Sequence, residues 1–174
     1  MGGSAWVVKG ILILATGQQP PMAFELGAPL FAVALIGLYA ALDCSDWRAH
    51  TGAFVAALAI LLALTAAVAG AIDPSLAPEG EALTPLSGVL LATAACLVVA
   101  LVLLGLASRK SRRLRWSPLP FWMGVLVVPG FVLGGALAET NERLLEIPLV
   151  VFALGWLALG YSMWQSIGAT SART

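Results

Sequence analysis

The segment TGAFVAALAILLALTAAVAGAI, residues 51–72, decides the fold, because it contains no charged side chain and no proline. A bilayer hydrocarbon core of about 30 Å is crossed by about 20 apolar residues in a helix, since each residue adds about 1.5 Å. Hydrocarbon offers no hydrogen-bond partner to an unpaired backbone group, so such a segment has to be helical. The sequence therefore predicts an all-α integral membrane protein.

The rest of the chain has the same character. Its 174 residues are 60% hydrophobic and 10% charged, with a mean hydropathy of +0.97, whereas soluble domains are about half apolar and a quarter charged. We predict a single transmembrane domain over residues 1–174, with spans at about residues 26–43, 51–72, 85–108, 119–138 and 146–165. The prediction is a bundle of five transmembrane helices, or six if the N-terminal segment also crosses.

The N-terminal segment, about residues 5–16, is too short to span and carries Lys9. It is either an interfacial helix whose lysine reaches the headgroups, or a short first span helped by snorkelling and local thinning of the bilayer. No small-x-small cleavage pattern follows it at Gly17-Gln-Gln-Pro-Pro21, so we expect it to be retained rather than removed as a signal peptide.

The connectors predict the orientation. The run from Arg109 to Arg115 contains five basic residues, Arg109, Lys110, Arg112, Arg113 and Arg115, whereas the connector from Asp73 to Glu81 contains none. By the positive-inside rule the basic run is cytoplasmic, and the C-terminus follows it to that side. Exposed aromatic rings prefer the headgroup level, and the predicted cytoplasmic boundaries hold Trp47, Trp116, Trp122, Tyr161 and Trp164. We predict a multi-pass protein of the plasma membrane with a cytoplasmic C-terminus.

Two features of the span at 119–138 concern packing. Gly130 and Gly134 form a GxxxG pattern extended by Gly135, and such small residues let two helices approach closely. They form either a dimer face or a contact within the bundle. Pro129 predicts a kink in the same span, which either lines a cavity or is tolerated by neighbouring helices.

Few residues are candidates for moving charge across the membrane or for catalysis. No Asp, Glu, Lys, Arg or His falls near the centre of a predicted span, which disfavours ion-coupled transport. The single histidine, His50, excludes a bis-histidine haem within the bundle. Ser87 and Ser162 have no histidine at a matching depth. We therefore expect no catalytic residue and no cofactor.

One group of metal-ligand residue types remains, Asp43, Cys44, Asp46 and His50, and a solvated connector explains it more simply than a metal site. The net charge of zero gives no reason to expect nucleic acid as a partner. The basic run could also attract anionic lipid headgroups, although the topology alone accounts for its charges.

Ile36-Gly-Leu-Tyr39 and Leu154-Gly-Trp-Leu-Ala-Leu-Gly-Tyr-Ser-Met-Trp164, each near the end of a span, resemble segments of a broad group of small bacterial multi-pass membrane proteins of unknown function. Members of that group commonly have a full helix ahead of the Gly-Leu-Tyr segment, so the resemblance implies that residues 7–15 form a shortened first span. It implies no activity and no site residues.

Two functions remain open. The first is a non-enzymatic structural or interaction subunit, assembled with itself or with another membrane protein through Gly130 and Gly134. The second is a carrier or pore for a neutral or lipophilic small solute, lined by the span kinked at Pro129. A carrier needs an open or polar path at the midplane, whereas a scaffold is close-packed there.

Overall fold

A computed structural model of the chain describes residues 2–16, 27–42, 46–73, 84–111, 114, 116–138, 140–141, 144 and 146–171. These residues form six α-helices and no strand, which confirms the predicted all-α class. The helices are α1 (Gly2–Thr16), α2 (Gly27–Leu42), α3 (Trp47–Ile72), α4 (Pro85–Ser111), α5 (Leu119–Ala138) and α6 (Glu146–Ser171).

Helix α2 lies near the centre of the bundle. It contacts α1, α3, α4 and α6, and the side chains of Leu35, Leu38 and Leu42 are fully buried. The other helices form an arc around it, because α3 packs on α4, α4 on α5, α5 on α6 and α6 on α1. A helix of this apolar composition is accommodated there because its neighbours enclose it on several sides.

The bundle has two chemically different ends. The end where α3 begins and α4 finishes carries Arg48, Arg109 and Lys110, and we call it the basic end. The opposite end, where α3 finishes and α6 begins, carries Asp73 and Glu146, and we call it the acidic end. The basic end also holds the acidic Asp46, and Lys9 lies near Glu146, so the segregation applies to the basic residues that flank α3 and α4.

Helices α3 and α4 make the most extensive helix contact in the bundle, and small residues form the buried side of α3. The buried residues of α3 recur at alternating intervals of three and four and are all alanine or glycine: Ala49, Gly52, Ala56, Ala59, Ala63 and Ala66. A Cβ added to Gly52 would lie 2.8 Å from Leu104 Cγ on α4. Such a seam allows close backbone approach, which stabilises helix pairs where lipid supplies no hydrophobic drive.

Among the described residues, four helices are long and apolar enough to cross a membrane: α3, α4, residues 119–137 of α5 and residues 146–165 of α6. Helix α2 has 16 residues and α1 has 15, or about 24 Å and 22 Å at 1.5 Å per residue. Both therefore fall short of the length that a span requires by itself. Large apolar side chains such as Phe54, Leu91 and Val132 are exposed on the outer surface, as expected for a surface that faces lipid.

Local sequence explains where the helices begin. Pro85 is the first residue of α4, and Pro29 and Pro148 lie in the first turns of α2 and α6, where a proline loses no helical hydrogen bond. Thr84 precedes α4, and its hydroxyl oxygen accepts a hydrogen bond from the Ser87 backbone N–H at 3.2 Å. Helix α3 begins at Trp47, four residues ahead of the predicted residue 51, because Asp46 caps it.

Candidate functional site

A cavity of ≈ 90 Å³ lies between α1, α2 and α6. Its lining consists of Gly3 on α1, of Leu30, Phe31 and Ala34 on α2, and of Trp156, Leu159, Gly160 and Met163 on α6. Gly3 sits against α6 so closely that an added Cβ would lie 3.0 Å from Trp156 Cβ. The first turn of α1 therefore forms one wall of the cavity, and α2 and α6 form the others.

An aromatic cluster forms part of the same region. The rings of Phe31 and Trp156 are stacked, with centroids 4.7 Å apart and an interplanar angle of 13°. Phe152 meets the Trp156 ring edge-on, with centroids 6.0 Å apart, and also meets Phe31 edge-on. Aromatic contacts of this geometry add about 0.5–1.5 kcal/mol each beyond the area they bury. The cluster thus fixes the position of Trp156 between α2 and α6.

The indole N–H of Trp156 is the unusual group at this site. Trp156 is 6% exposed, and its Nε1 is buried with no hydrogen-bond partner among the described residues. A buried N–H that finds no acceptor costs about 1–3 kcal/mol. Most tryptophans of membrane proteins avoid this cost by lying at the interface, where the ring nitrogen reaches water or headgroups.

Lys9 and Glu146 lie on the acidic side of the cavity. Lys9 is 4% exposed, although it belongs to an apolar helix. The Glu146 carboxylate on α6 is close enough to attract its charge, and a Cβ added to Gly10 would lie 3.6 Å from Glu146 Oε2. Protein therefore encloses the Lys9 side chain, and Glu146 provides a local counter-charge.

The structure separates the three glycines of the predicted packing motif. Gly134 is buried, and Gly130 is partly buried, with an added Cβ 3.9 Å from Pro148 Cβ on α6. Gly135 is exposed and faces open space, with no atom within 4 Å of an added Cβ. Pro129 is also exposed on the surface of α5. None of the four lines the cavity between α1, α2 and α6.

Close helix contacts within the bundle use other glycines. Gly105 on α4 lies directly against the backbone of Phe121 on α5. A Cβ added to Gly124 on α5 would lie 2.8 Å from Val102 Cγ2 on α4. Both contacts lie toward the basic end, whereas near the acidic end Leu91 on α4 and Leu133 on α5 are exposed.

Asp46 organises the basic end. One of its carboxylate oxygens accepts a hydrogen bond of 3.1 Å from the Arg48 backbone N–H, and the other lies 3.4 Å from Lys110 Nζ on α4. The hydrogen bond from Arg48 is the main cause that lowers the pKa of the Asp46 carboxyl, and the positive charge of Lys110 adds to it. The N-cap of α3 and the C-terminal turn of α4 are thereby linked.

The basic run is partly described. Arg109 places its guanidinium over the Phe121 ring, 5.1 Å from the centroid, and Lys110 is exposed and paired with Asp46. The other three residues predicted to determine topology, Arg112, Arg113 and Arg115, lie outside the described residues. The described part shows basic groups held at one end of the bundle by an aromatic ring and a carboxylate.

Of the four residues considered as metal ligands, the structure describes two, Asp46 and His50. His50 Nδ1 lies 3.1 Å from the Asp46 backbone oxygen, and its ring meets Tyr39 edge-on. Asp43 and Cys44 lie outside the described residues. In the part of the chain that the structure describes, no three His, Cys, Asp or Glu side chains are grouped as a metal site.

Hydroxyl groups within the helices serve local structure. Thr93 is buried and donates to the Val89 carbonyl oxygen at 2.9 Å, and the exposed Thr65 donates to the Leu61 carbonyl oxygen at 2.8 Å. The hydroxyl oxygen of Ser162 accepts from the Trp116 backbone N–H at 3.4 Å. These hydroxyls therefore bond the backbone rather than forming a polar path.

Phe31, Phe152 and Trp156 were not predicted as site residues. A signal for them was present, because Trp156 lies in the middle of the predicted span 146–165, far from the boundaries where tryptophan usually lies. Phe152 precedes it by four residues and therefore shares its helix face. Whether Phe31 belongs to the aromatic cluster depends on how α2 packs on α6, and the sequence does not predict that packing.

The chain matches no protein-family model, no curated protein and no solved structure. The resemblance to small bacterial multi-pass membrane proteins therefore stays a prediction.

Proposed function

We propose that the protein is a non-enzymatic, multi-pass structural or interaction subunit of the plasma membrane, which binds a partner helix through the outer surface of α5. One observation carries this proposal: from Val128 to Ala136, only Gly130 and Gly134 are not exposed. We call the exposed residues of this stretch, 128, 129, 131–133, 135 and 136, the open face of α5.

The open face of α5 differs from the surface of α3. In α3 a buried alanine or glycine recurs every three or four residues between Ala49 and Ala66, whereas Phe131, Val132 and Leu133 are consecutive and all exposed. Small residues on or beside this face, with Gly135 fully open, permit close approach of a second helix. The first partner to test is a second copy of the chain.

The proposed orientation places the basic end and the C-terminus in the cytoplasm. It is supported by the position of Arg48, Arg109 and Lys110 at the basic end and by the exposed rings of Trp47, Trp116, Trp122, Tyr161 and Trp164 near that end. We propose that α2 crosses together with α3–α6, because helices on several sides enclose it despite its length. Five crossings bring the C-terminus to the side of the basic run, and α1 packs against the first half of α6.

Assembly is tested with Gly135→Leu. Leucine at this exposed position leaves the contacts of the monomer intact but obstructs a close helix interface, which weakens it by about 1–3 kcal/mol. The matched control is Gly88→Leu on α4, where an added Cβ likewise has no atom within 4 Å. By light scattering in mild detergent, we expect wild type and the control to form the same oligomer and Gly135→Leu to shift toward monomer.

A photo-activatable residue at Val132 extends the test to a different partner in native membranes, with the same substitution at Phe54 on α3 as the control. We expect cross-linking from Val132 and not from Phe54. Unchanged oligomers in Gly135→Leu together with no cross-link at Val132 would refute the proposal.

The carrier alternative has less support. Pro129 lies on the exposed face of α5 rather than against a cavity, and Thr93 is enclosed and bonded to its own helix. A lipophilic solute also dissolves in the bilayer without a protein path. A carrier requires an open path at the midplane, and neither Pro129 nor Thr93 lines such a path.

A further inference from the structure

We propose that α1 is a sixth and conditional crossing of the membrane, which stays in the bilayer because α6 shelters its lysine, Lys9, from lipid. The inference rests on the proposed crossing of α6 and not on assembly through α5. Two observations carry it: the direction in which α1 runs along α6, and the depth at which this contact places the buried Lys9.

Helix α1 runs antiparallel to α6. A Cβ added to Gly3, in the first turn of α1, would lie 3.0 Å from Trp156 Cβ. A Cβ added to Gly10, further along α1, would collide with the Val150 side chain and lie 3.6 Å from Glu146 Oε2. Moving forward along α1 therefore means moving back along α6. An interfacial helix lies in the plane of the membrane, so these contacts favour a crossing over an interfacial helix.

Ser162 marks the level of the basic end on α6. Its hydroxyl oxygen accepts a hydrogen bond from the Trp116 backbone N–H at 3.4 Å, and the rings of Trp116 and Tyr161 are exposed there, as expected at the headgroups. Gly3 lies beside Trp156, which precedes Ser162 by six residues of α6, or about 9 Å. The first turn of α1 is therefore in the leaflet of the basic end.

Lys9 lies near the middle of the bilayer. It follows Gly3 by six residues, or about another 9 Å, so it is about 18 Å from the basic end of a hydrocarbon core of about 30 Å. Thr16, the last residue of α1, is about 10 Å further on, close to the acidic boundary. Helix α1 thus extends across most of the core, and modest thinning of the bilayer accommodates its remaining shortfall in length.

The lysine makes this crossing conditional. A lysine that faces lipid near the centre of a span is strongly disfavoured, but the Lys9 side chain is 4% exposed and Glu146 attracts its charge. The close contact depends on Gly3 and Gly10, because neither position has room for a Cβ without displacing α6. The crossing of the first helix is thereby coupled to the presence of α6, the last of the six.

The experiment locates the start of α1 in the full chain in cells. Cys44 and Cys96 are replaced by serine, and a short glycine–serine tag with one cysteine precedes residue 1. Its labelling by a membrane-impermeant maleimide is compared with that of Ser111→Cys at the basic end and of Thr140→Cys near the acidic end. We expect the tag to react on the side of Ser111→Cys, whichever side is cytoplasmic. An interfacial α1 would place the tag on the side of Thr140→Cys, because α2 begins there.

Gly3→Leu separates docking on α6 from the hydrophobicity of α1. Leucine makes α1 more apolar, which favours the insertion of an isolated helix, yet its Cβ would lie 3.0 Å from the Ala153 backbone oxygen. Because undocking exposes Lys9 to lipid, we expect about tenfold more tag on the acidic side. The control Ala15→Leu adds apolar surface at an exposed position of α1 and should leave the tag at the basic end.

A second substitution tests the role of the charge. The double variant Gly3→Leu/Lys9→Met has no charge to shelter, so its tag should return to the basic end although the helix contact remains broken. Gly10→Leu, which collides with Val150, should act as Gly3→Leu does. In every variant the Ser111→Cys and Thr140→Cys reporters are measured in parallel, and their reaction on opposite sides shows that the rest of the bundle is inserted.

Three results would overturn the proposal. They are a wild-type tag on the side of Thr140→Cys, a tag that stays at the basic end in both Gly3→Leu and Gly10→Leu, and a double variant that behaves like Gly3→Leu alone. None of them bears on self-association through α5, so failure here is distinguishable from failure of the interaction function.

Discussion

Gly105 on α4 and Phe121 on α5 are in direct backbone contact, and this contact leaves no space for a Cβ at Gly105. The neighbouring approach of Gly124 to Val102 lies one helical turn away. The two glycines therefore determine how closely α4 and α5 pack near the basic end.

The first prediction concerns this contact. Gly105→Ala should destabilise the protein by about 1–3 kcal/mol, because the added methyl group meets backbone atoms that cannot rotate away. Gly88→Ala is the control, since it adds the same methyl group to the same helix where no atom lies within 4 Å. Thermal unfolding in detergent measures both, and equal midpoints for the two variants would contradict the contact.

The second prediction concerns the Asp46 carboxylate. Asp46→Ala should lower the midpoint of unfolding because α3 loses its N-cap, whereas Asp46→Asn keeps a capping oxygen and loses only the charge. Because folding lowers the pKa of Asp46, its ionised form contributes stability above the ordinary carboxyl pKa, and this contribution is lost as pH falls through the lowered value.

Unfolding measured between about pH 6 and pH 2 tests the second prediction. The difference in stability between wild type and Asp46→Asn should be constant at the upper end and shrink as the pH falls. A difference that grows on acidification would contradict the assigned direction of the pKa shift.

The third prediction concerns Lys9 and Glu146. Glu146→Gln leaves the buried Lys9 ammonium without this counter-charge, and Lys9→Met removes the ammonium itself. The double variant should be more stable than the sum of the single effects implies, with a coupling free energy on the order of 1 kcal/mol. A cycle of four unfolding measurements gives this value, and effects that add within about 0.4 kcal/mol would show that the two groups are independent.

The fourth prediction concerns orientation. In a background with Cys44 and Cys96 replaced by serine, Thr140→Cys near the acidic end should react with a membrane-impermeant maleimide added to intact cells. Ser111→Cys at the basic end should react only after the cells are permeabilised. The reverse pattern would place the C-terminus outside the cell.

Helix positions were readable from the sequence because each depends on local composition and on prolines at known places. Pro85 and Pro148 lie in first helical turns, where a proline loses no helical hydrogen bond. The number of crossings was harder to predict from the sequence, because α2 is shorter than a span and is enclosed by its neighbours. A length criterion treats each helix alone, whereas burial of α2 is a property of the assembled bundle.

The packing residues show the same limit. GxxxG in α5 is a recognisable pattern, and the structure buries Gly134 and partly buries Gly130, but Gly52, Gly105 and Gly124 make close helix contacts that no GxxxG marks. The seam of α3 was visible as small residues at intervals of three and four, and this spacing is a stronger signal than one GxxxG because it continues from Ala49 to Ala66. The approach of Lys9 to Glu146 depends on tertiary packing and left no local pattern, whereas the burial of Trp156 had one signal, its position in the middle of the predicted span 146–165.

The exposed tryptophans give the molecule a fixed height in the bilayer. Among the tryptophans whose side chains are described, Trp47, Trp116, Trp122 and Trp164 are exposed, and all lie toward the basic end. Indole rings resist leaving the headgroup layer, and no exposed tryptophan among the described residues marks the acidic end. When the bilayer becomes thicker or thinner, we expect the headgroups at the basic end to stay at the level of the exposed tryptophans. The lipids at the acidic end should then adjust to the difference in thickness.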